Sequence, residues 1–208
     1  MQVSAEIRYF WRGATPGGLE EWFRGCERQP FPAGGGESRL DEYHRDANQT
    51  ELSIKRRGEE SGVEVKGLVA LSGEHLQSPF TGQVEIWAKW GLLSLELGRN
   101  TIAAIDKKRW LRKFDTRGTM PIEIALDASE KPLGDHGLPD DGCNAELTKL
   151  RLVNSDVWWT LGLEAFGTLW TVEKNLKLGA EALAARDPPD LRPEVIASYP
   201  SWLSKHVL

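Results

Sequence analysis

The sequence predicts a mainly β (α+β) fold: one antiparallel sheet or barrel of eight or nine strands, with a few helices outside it. Three observations carry this expectation. Stretches in which apolar and polar residues alternate with period two recur along the chain. Most are joined by short connections bearing Gly, Pro, Asn or Asp. Helical spacing is confined to a few short stretches. No fixed-period repeat and no linker divides the 208 residues, so a single domain over 1–208 is expected.

Residues 3–11 set Val3, Ala5, Ile7, Tyr9 and Trp11 against Ser4, Glu6, Arg8 and Phe10, which is a first strand. Thr15-Pro16-Gly17-Gly18 opens a short helix to residue 28, with Leu19, Trp22 and Phe23 as its apolar stripe. Residues 30–36, rich in Pro and Gly, form a loop. Strands are expected over 39–46, 50–58, 62–71 and 82–90, with 47–49 as a turn and 72–80 as a polar link. Residues 92–98 fit a strand or a short helix. Residues 101–115 are strand-like and carry the ionic run Asp106-Lys107-Lys108-Arg109, and 121–128 alternate again. Residues 131–142 are a loop marked by Pro132, Gly134, Gly137, Pro139 and Gly142. A late hairpin over 143–154 and 157–167 turns at Asn154-Ser155-Asp156. Residues 171–186 have helical spacing through Val172, Leu176, Leu178, Ala182 and Leu183, ended by Asp187-Pro188-Pro189-Asp190. A last helical segment over 193–207 is interrupted at Pro200.

The composition, 40% hydrophobic and 27% charged, is that of an ordinary globular protein. A formal net charge of −5 gives no basic bias, so neither nucleic acid nor an anionic membrane is expected as a partner. No apolar run approaches the roughly 20 residues of a membrane span, and the N-terminus lacks the pattern of a signal peptide. The two cysteines, Cys26 and Cys143, lack metal spacing; a reduced, cytoplasmic protein is expected, with a disulfide as the alternative. Nine tryptophans, mainly in strand-like segments, are assigned to packing. His44, His75, His136 and His206 have no mutual ligand spacing and are placed on the surface or in loops. Gly34-Gly35-Gly36 is not a P-loop, because no GK[ST] helix start follows it.

The informative stretch is 51–66, ELSIKRRGEESGVEVK, a hairpin with one apolar and one ionic face. Lys55 and Arg57 share a parity, as do Glu64 and Lys66. The pattern recurs at Glu6 and Arg8, at Glu85 and Lys89, at Lys107 and Arg109, and at Glu146. The expected inward acids are Glu6, Glu64, Glu85, Glu146 and Glu164; the bases are Arg8, Lys55, Arg57, Lys66, Lys89, Lys107, Arg109 and Arg112. The facing of Glu42, Asp46 and Glu123 stays open, because a bulge would flip strand parity. Bases converging on one cavity suit an anion, and Arg and Lys suit phosphate oxygens. Clustered carboxylates supply hard oxygen ligands for Mg²⁺ or Mn²⁺. The combination suits a polyphosphate or another phosphorylated small molecule. The same alternation also describes an antiparallel strand with one wet face stabilised by Glu–Lys pairs. A closed barrel decides between the two, because an interior ionic face needs partners, a ligand or water.

Several of these segments resemble the CYTH superfamily, the triphosphate tunnel metalloenzymes. AEIRYF is similar to the family's first strand, SIKRRG with VEVK to its basic hairpin, and KKRW to its later basic strand. AELTKL and LGLEAFG are similar to its closing acidic strands, and ASYPSWL to its usual ending. The resemblance implies an eight-stranded antiparallel tunnel barrel with peripheral helices. It also implies a divalent-metal-dependent phosphohydrolase acting on inorganic triphosphate or on a nucleotide or thiamine triphosphate. Arg8, Lys55, Arg57, Lys66, Lys89, Lys107, Arg109 and Arg112 would then bind phosphate. Glu6, Glu85, Glu146 and Glu164 would hold Mg²⁺ or Mn²⁺ and help position the attacking water, with Lys66 or Lys89 polarising the leaving oxygen. Glu6, Lys66 and Glu85 are thus the candidate catalytic residues. The family's first strand carries ExExK, whereas Ser4, Glu6 and Arg8 stand at those positions here. One carboxylate is absent, which points to the alternative of a non-catalytic binder of a phosphorylated ligand.

Overall fold

The segments of period-two alternation become strands of one sheet in the computed structural model. It describes residues 1–25, 36–44, 48–58, 62–76, 78–93, 102–127, 129–133 and 137–207, with backbone alone at 74, 75 and 102. The strands are β1 (Gln2–Arg12), β2 (Glu37–His44), β3 (Leu52–Arg57), β4 (Val63–His75), β5 (Gln83–Leu92), β6 (Ile102–Asp115), β7 (Ile122–Ile124), β8 (Gly142–Leu152), β9 (Val157–Gly167) and β10 (Val195–Ile196). The helices are α1 (Leu19–Arg24), α2 (Val172–Ala184) and α3 (Tyr199–His206).

Eight strands run in the order β1-β5-β4-β3-β2-β6-β8-β9, and β9 pairs back onto β1, so the sheet closes into an antiparallel barrel. The closing ladder runs from Val3 opposite Gly167 to Arg12 opposite Trp158. The other edge of β1 pairs with β5 over Gln2–Glu6 and with β10 at Tyr9 and Phe10. The two short strands lie outside the ring, β7 on β6 and β10 on β1. No helix among the described residues is long and apolar enough to cross a membrane.

Three expectations need correction. The strand expected over 121–128 is only three residues long, followed by an isolated bridge between Leu126 and Pro132. The segment 193–207 is not one interrupted helix: Val195 and Ile196 pair with Phe10 and Tyr9, and α3 begins afterwards. Pro200 lies in the first turn of α3, where its missing N–H has no intrahelical partner to lose, so it opens the helix. Helix α1 spans only Leu19–Arg24. Cys26, the loop over 30–35, Asp46, most of 92–98 and His136 lie outside the described residues.

The main apolar core sits outside the barrel wall. Outward residues of β1, β8 and β9, among them Ile7, Leu147, Leu161 and Leu163, pack beneath Leu176, Ala180 and Leu183 of α2. The Val172, Leu176, Ala180 and Leu183 stripe recurs at helical spacing, which is why α2 lies flat on this face. A second cluster fills one end of the lumen: Phe10, Ile105, Leu150 and Trp158, capped by Trp202 and Leu203 of α3. Phe10 stacks on Trp202 at 4.9 Å, and Trp158 meets it edge-on at 5.4 Å. Such ring pairs each add about 0.5–1.5 kcal/mol beyond burial. Trp11, Trp87, Trp110, Trp158, Trp159 and Trp202 are all buried, in keeping with a packing role, whereas Trp90 and Trp170 are exposed.

Candidate functional site

Between the aromatic plug and the opposite mouth the lumen is ionic. Strand parity delivers Glu6 and Arg8 from β1, Arg39 from β2, Lys55 and Arg57 from β3, and Glu64 and Lys66 from β4. Lys107 and Arg109 come from β6, Glu146 from β8 and Glu164 from β9. They surround a space of about 60 Å³. Seven cationic side chains and four carboxylates line it.

The charges are segregated. Neighbouring strands β3, β2 and β6 contribute Lys55, Arg57, Arg39, Lys107 and Arg109, while neighbouring β5, β1 and β9 carry Glu85, Glu6 and Glu164 in one cross-strand row. Carboxylates brace the cationic wall. Asp41, fully buried, lies 3.0 Å from Lys107 Nζ and 2.9 Å from Arg39 Nε. Glu37 sits 2.7 Å from Arg109 and 2.6 Å from Arg39, and Glu130 also pairs with Arg109. Lys55 Nζ is 2.9 Å from Glu64.

Burial and pairing compete in these groups. Burial pulls Lys55 and Lys107 down to about 8, outweighing Glu64 and Asp41 respectively. Burial would raise their partners, but Lys107 and then Arg39 hold Asp41 at about 2, and Lys55 and then Lys89 hold Glu64 at about 2. Burial raises the Glu6 carboxyl despite Lys66. Glu164, which burial alone would raise, is lowered by Lys66 and Lys89.

Arg8 is the hub where the two walls meet. Its Nη2 is 3.2 Å from Glu146 Oε2, and its guanidinium lies over the Tyr199 ring at 4.6 Å. Residue 162 on β9 is glycine, and a Cβ there would crowd the Arg8 guanidinium, at 2.6 Å from Nη1 and Nη2. Two donors of the wall, Arg8 Nη1 and Arg57 Nε, are buried with no acceptor among the described residues. Such a donor costs about 1–3 kcal/mol unless something accepts from it.

Three candidates stand apart from this space. Lys89 is nearer the mouth, 3.8 Å from Glu64 and 4.0 Å from Glu164. It lines a pocket of about 430 Å³ that shares Arg57 and Glu64 with the lumen. Glu85 shares the parity of Trp87, accepts its indole N–H at 2.9 Å and is not among the residues around this space. Arg112 is a correction. Its parity is opposite to that of Lys107 and Arg109, so it leaves the outer face of the barrel, donates to the Phe23 carbonyl at 2.9 Å and pairs with Glu123 at 2.6 Å.

The expected metal ligands do not assemble. Among the described residues no group of three or more His, Cys, Asp or Glu side chains is placed to hold a metal ion. Glu146 is engaged by Arg8 and Arg109, Glu164 by Lys66 and Lys89, and Glu6 by Lys66 and the Ser4 hydroxyl. The donor set therefore does not fit Mg²⁺ or Mn²⁺ as it stands.

Several site residues are not among those the sequence singles out. Arg39, Asp41 and Tyr43 alternate along β2 as clearly as Lys55 and Arg57 do on β3, so a signal for them is present. Tyr199, reaching in from α3, and Glu130, from a turn, have no strand periodicity to mark them. Glu42 and Glu123, whose facing parity leaves open, both turn outward, to Arg56 and Arg112.

Comparison with family models, with curated proteins and with solved structures gives no match for this chain.

Proposed function

We propose that the barrel is a receptor for the phosphate chain of a triphosphate-containing small molecule. Arg8, Arg39, Lys55, Arg57, Lys107 and Arg109 hold its oxygens. The observation that carries this reading is the pair of buried guanidinium donors without an acceptor among the described residues, Arg8 Nη1 and Arg57 Nε, in a lumen lined by seven cationic side chains. The ligand enters at the mouth lined by Arg57, Glu64 and Lys89, since aromatic side chains fill the other end. The space is small, so the bases exchange carboxylate partners for phosphate oxygens as the chain enters. The motif likeness to the triphosphate tunnel metalloenzymes supports the same ligand class.

Calorimetric titration with tripolyphosphate, ATP and orthophosphate tests this. Saturable binding of the first two, stronger than that of orthophosphate and weakened about tenfold or more by Arg57→Met, is expected. Absence of binding by any polyphosphate overturns it. Hydrolysis of the same ligand is the second reading, favoured by the raised Glu6 carboxyl, which can carry a proton inside the lumen. Orthophosphate release from tripolyphosphate or ATP, with and without Mg²⁺ or Mn²⁺, separates turnover from binding.

A further inference from the structure

Glu85 on β5 stands opposite Glu6 on β1, and Glu6 stands opposite Glu164 on β9. Like charges in directly opposed positions destabilise a sheet. A row of this kind persists only if something neutralises it or if its members hold protons. A divalent ion is one solution, and a fixed ammonium is another.

The structure contains the second. Lys66 reaches across the lumen from β4; its Nζ contacts the Glu6 carboxylate and lies 3.5 Å from Glu164 Oε1. Lys89 adds a weaker contact to Glu164 at 4.0 Å. Glu85 is turned aside to the Trp87 indole, and Ser4 supplies Glu6 with a neutral hydroxyl donor. The ammonium thus sits between two carboxylates where a metal ion binding both would have to lie. It is tethered to the sheet, so it competes at high effective concentration with any ion from solution.

We propose that Lys66 Nζ is the resident cation of the Glu6–Glu164 pair, so that the lumen takes up no divalent metal and holds its phosphate ligand without one. Only the ligand half of this inference rests on the proposed function.

Mn²⁺ titration of the full chain, followed by the paramagnetic resonance signal of free Mn²⁺, tests the metal half. Wild-type protein is expected to leave millimolar Mn²⁺ free, while Lys66→Met, which keeps side-chain length and removes the charge, gains one site that a further Glu164→Gln change removes. Stoichiometric Mn²⁺ binding by wild type, lost on Glu164→Gln, overturns the proposal; so does a folded Lys66→Met chain that still leaves Mn²⁺ free. Should Lys66→Met fail to fold, the wild-type titration decides alone. For the ligand half, tripolyphosphate is expected to bind in EDTA at least as tightly as in Mn²⁺, which chelates part of the free anion, and a loss of about tenfold or more in EDTA relative to Mn²⁺ overturns it. If tripolyphosphate binds in neither buffer, the proposed function fails while the Mn²⁺ titrations still judge the role of Lys66.

Discussion

Glu146→Gln separates a lumen charged for a ligand from one that is merely self-paired. Glu146 lies between two guanidiniums, with Arg8 at 3.2 Å and Arg109 at 3.0 Å. Burial alone would raise its carboxyl, yet Arg109 and then Arg8 hold it well below the usual carboxylate range, so it is ionised at neutral pH. Glutamine keeps the size and one acceptor oxygen but removes the charge. Arg109 retains Glu37 and Glu130, whereas Arg8 has no other carboxylate within salt-bridge reach among the described residues. Removing one partner of a buried pair costs about 3–5 kcal/mol; with an acceptor retained, the lower end, about 3 kcal/mol, is expected. For a chain of this size that lowers Tm by roughly 6–12 °C. A bound polyphosphate would supply the missing negative charge. Tripolyphosphate at a hundred times the variant's Kd then returns about 2.7 kcal/mol, and the same concentration should raise the wild-type midpoint less, because Glu146 competes there for Arg8 and Arg109. Differential scanning calorimetry with and without tripolyphosphate reads both effects. A variant as stable as wild type, or one that tripolyphosphate stabilises no more than wild type, refutes the reasoning.

Two further outcomes follow from the geometry. Lys55 and Lys107 drop from 10.5 to about 8 on folding, so between those values the unfolded chain binds protons that the folded one has released, and stability contributed by these two lysines rises with pH across that window. Tripolyphosphate affinity moves the opposite way, falling above about pH 8 as the wall loses charge; chemical denaturation and calorimetric titration over about pH 7–10 check the two signs, and a flat affinity profile removes these lysines from the phosphate wall. Gly162→Ala forces the Arg8 guanidinium off its seat, with about 1–3 kcal/mol lost to overpacking and a larger relative loss of polyphosphate binding; unaltered binding removes Arg8 from the site.

Barrel and lumen are legible in the sequence to different depths, for physical reasons. Period-two alternation reports facing directly, so Glu6, Arg8, Lys55, Arg57, Glu64, Lys66, Lys107, Arg109, Glu146 and Glu164 all line the space together. Arg112 departs from that set because its charge suggests the lumen while its odd spacing from Arg109 directs it outward. Tyr199 is hidden because a helix side chain entering a barrel end leaves no strand signature. Pairing is the other hidden quantity: alternation lists the charges of a face, but only register and barrel closure show that Lys66 spans the lumen to Glu6 and Glu164. That is why Glu6 and Glu164 read as metal ligands in sequence and are paired with an ammonium in the fold.

Strand β1 holds the barrel together at two seams, with Ala5 opposite Ile86 on one side and Ala165 on the other. Both seams join distant parts of the chain, and contacts of that kind form slowly. Until β1 docks, the lumen is open to water and its charges gain little from each other. The ionic contacts of Glu6 with Lys66 and of Arg8 with Glu146 therefore exist in full only once both seams are made. The charges of the lumen thus depend on both seams of one strand, while the apolar wall beneath α2 is shared among β1, β8 and β9.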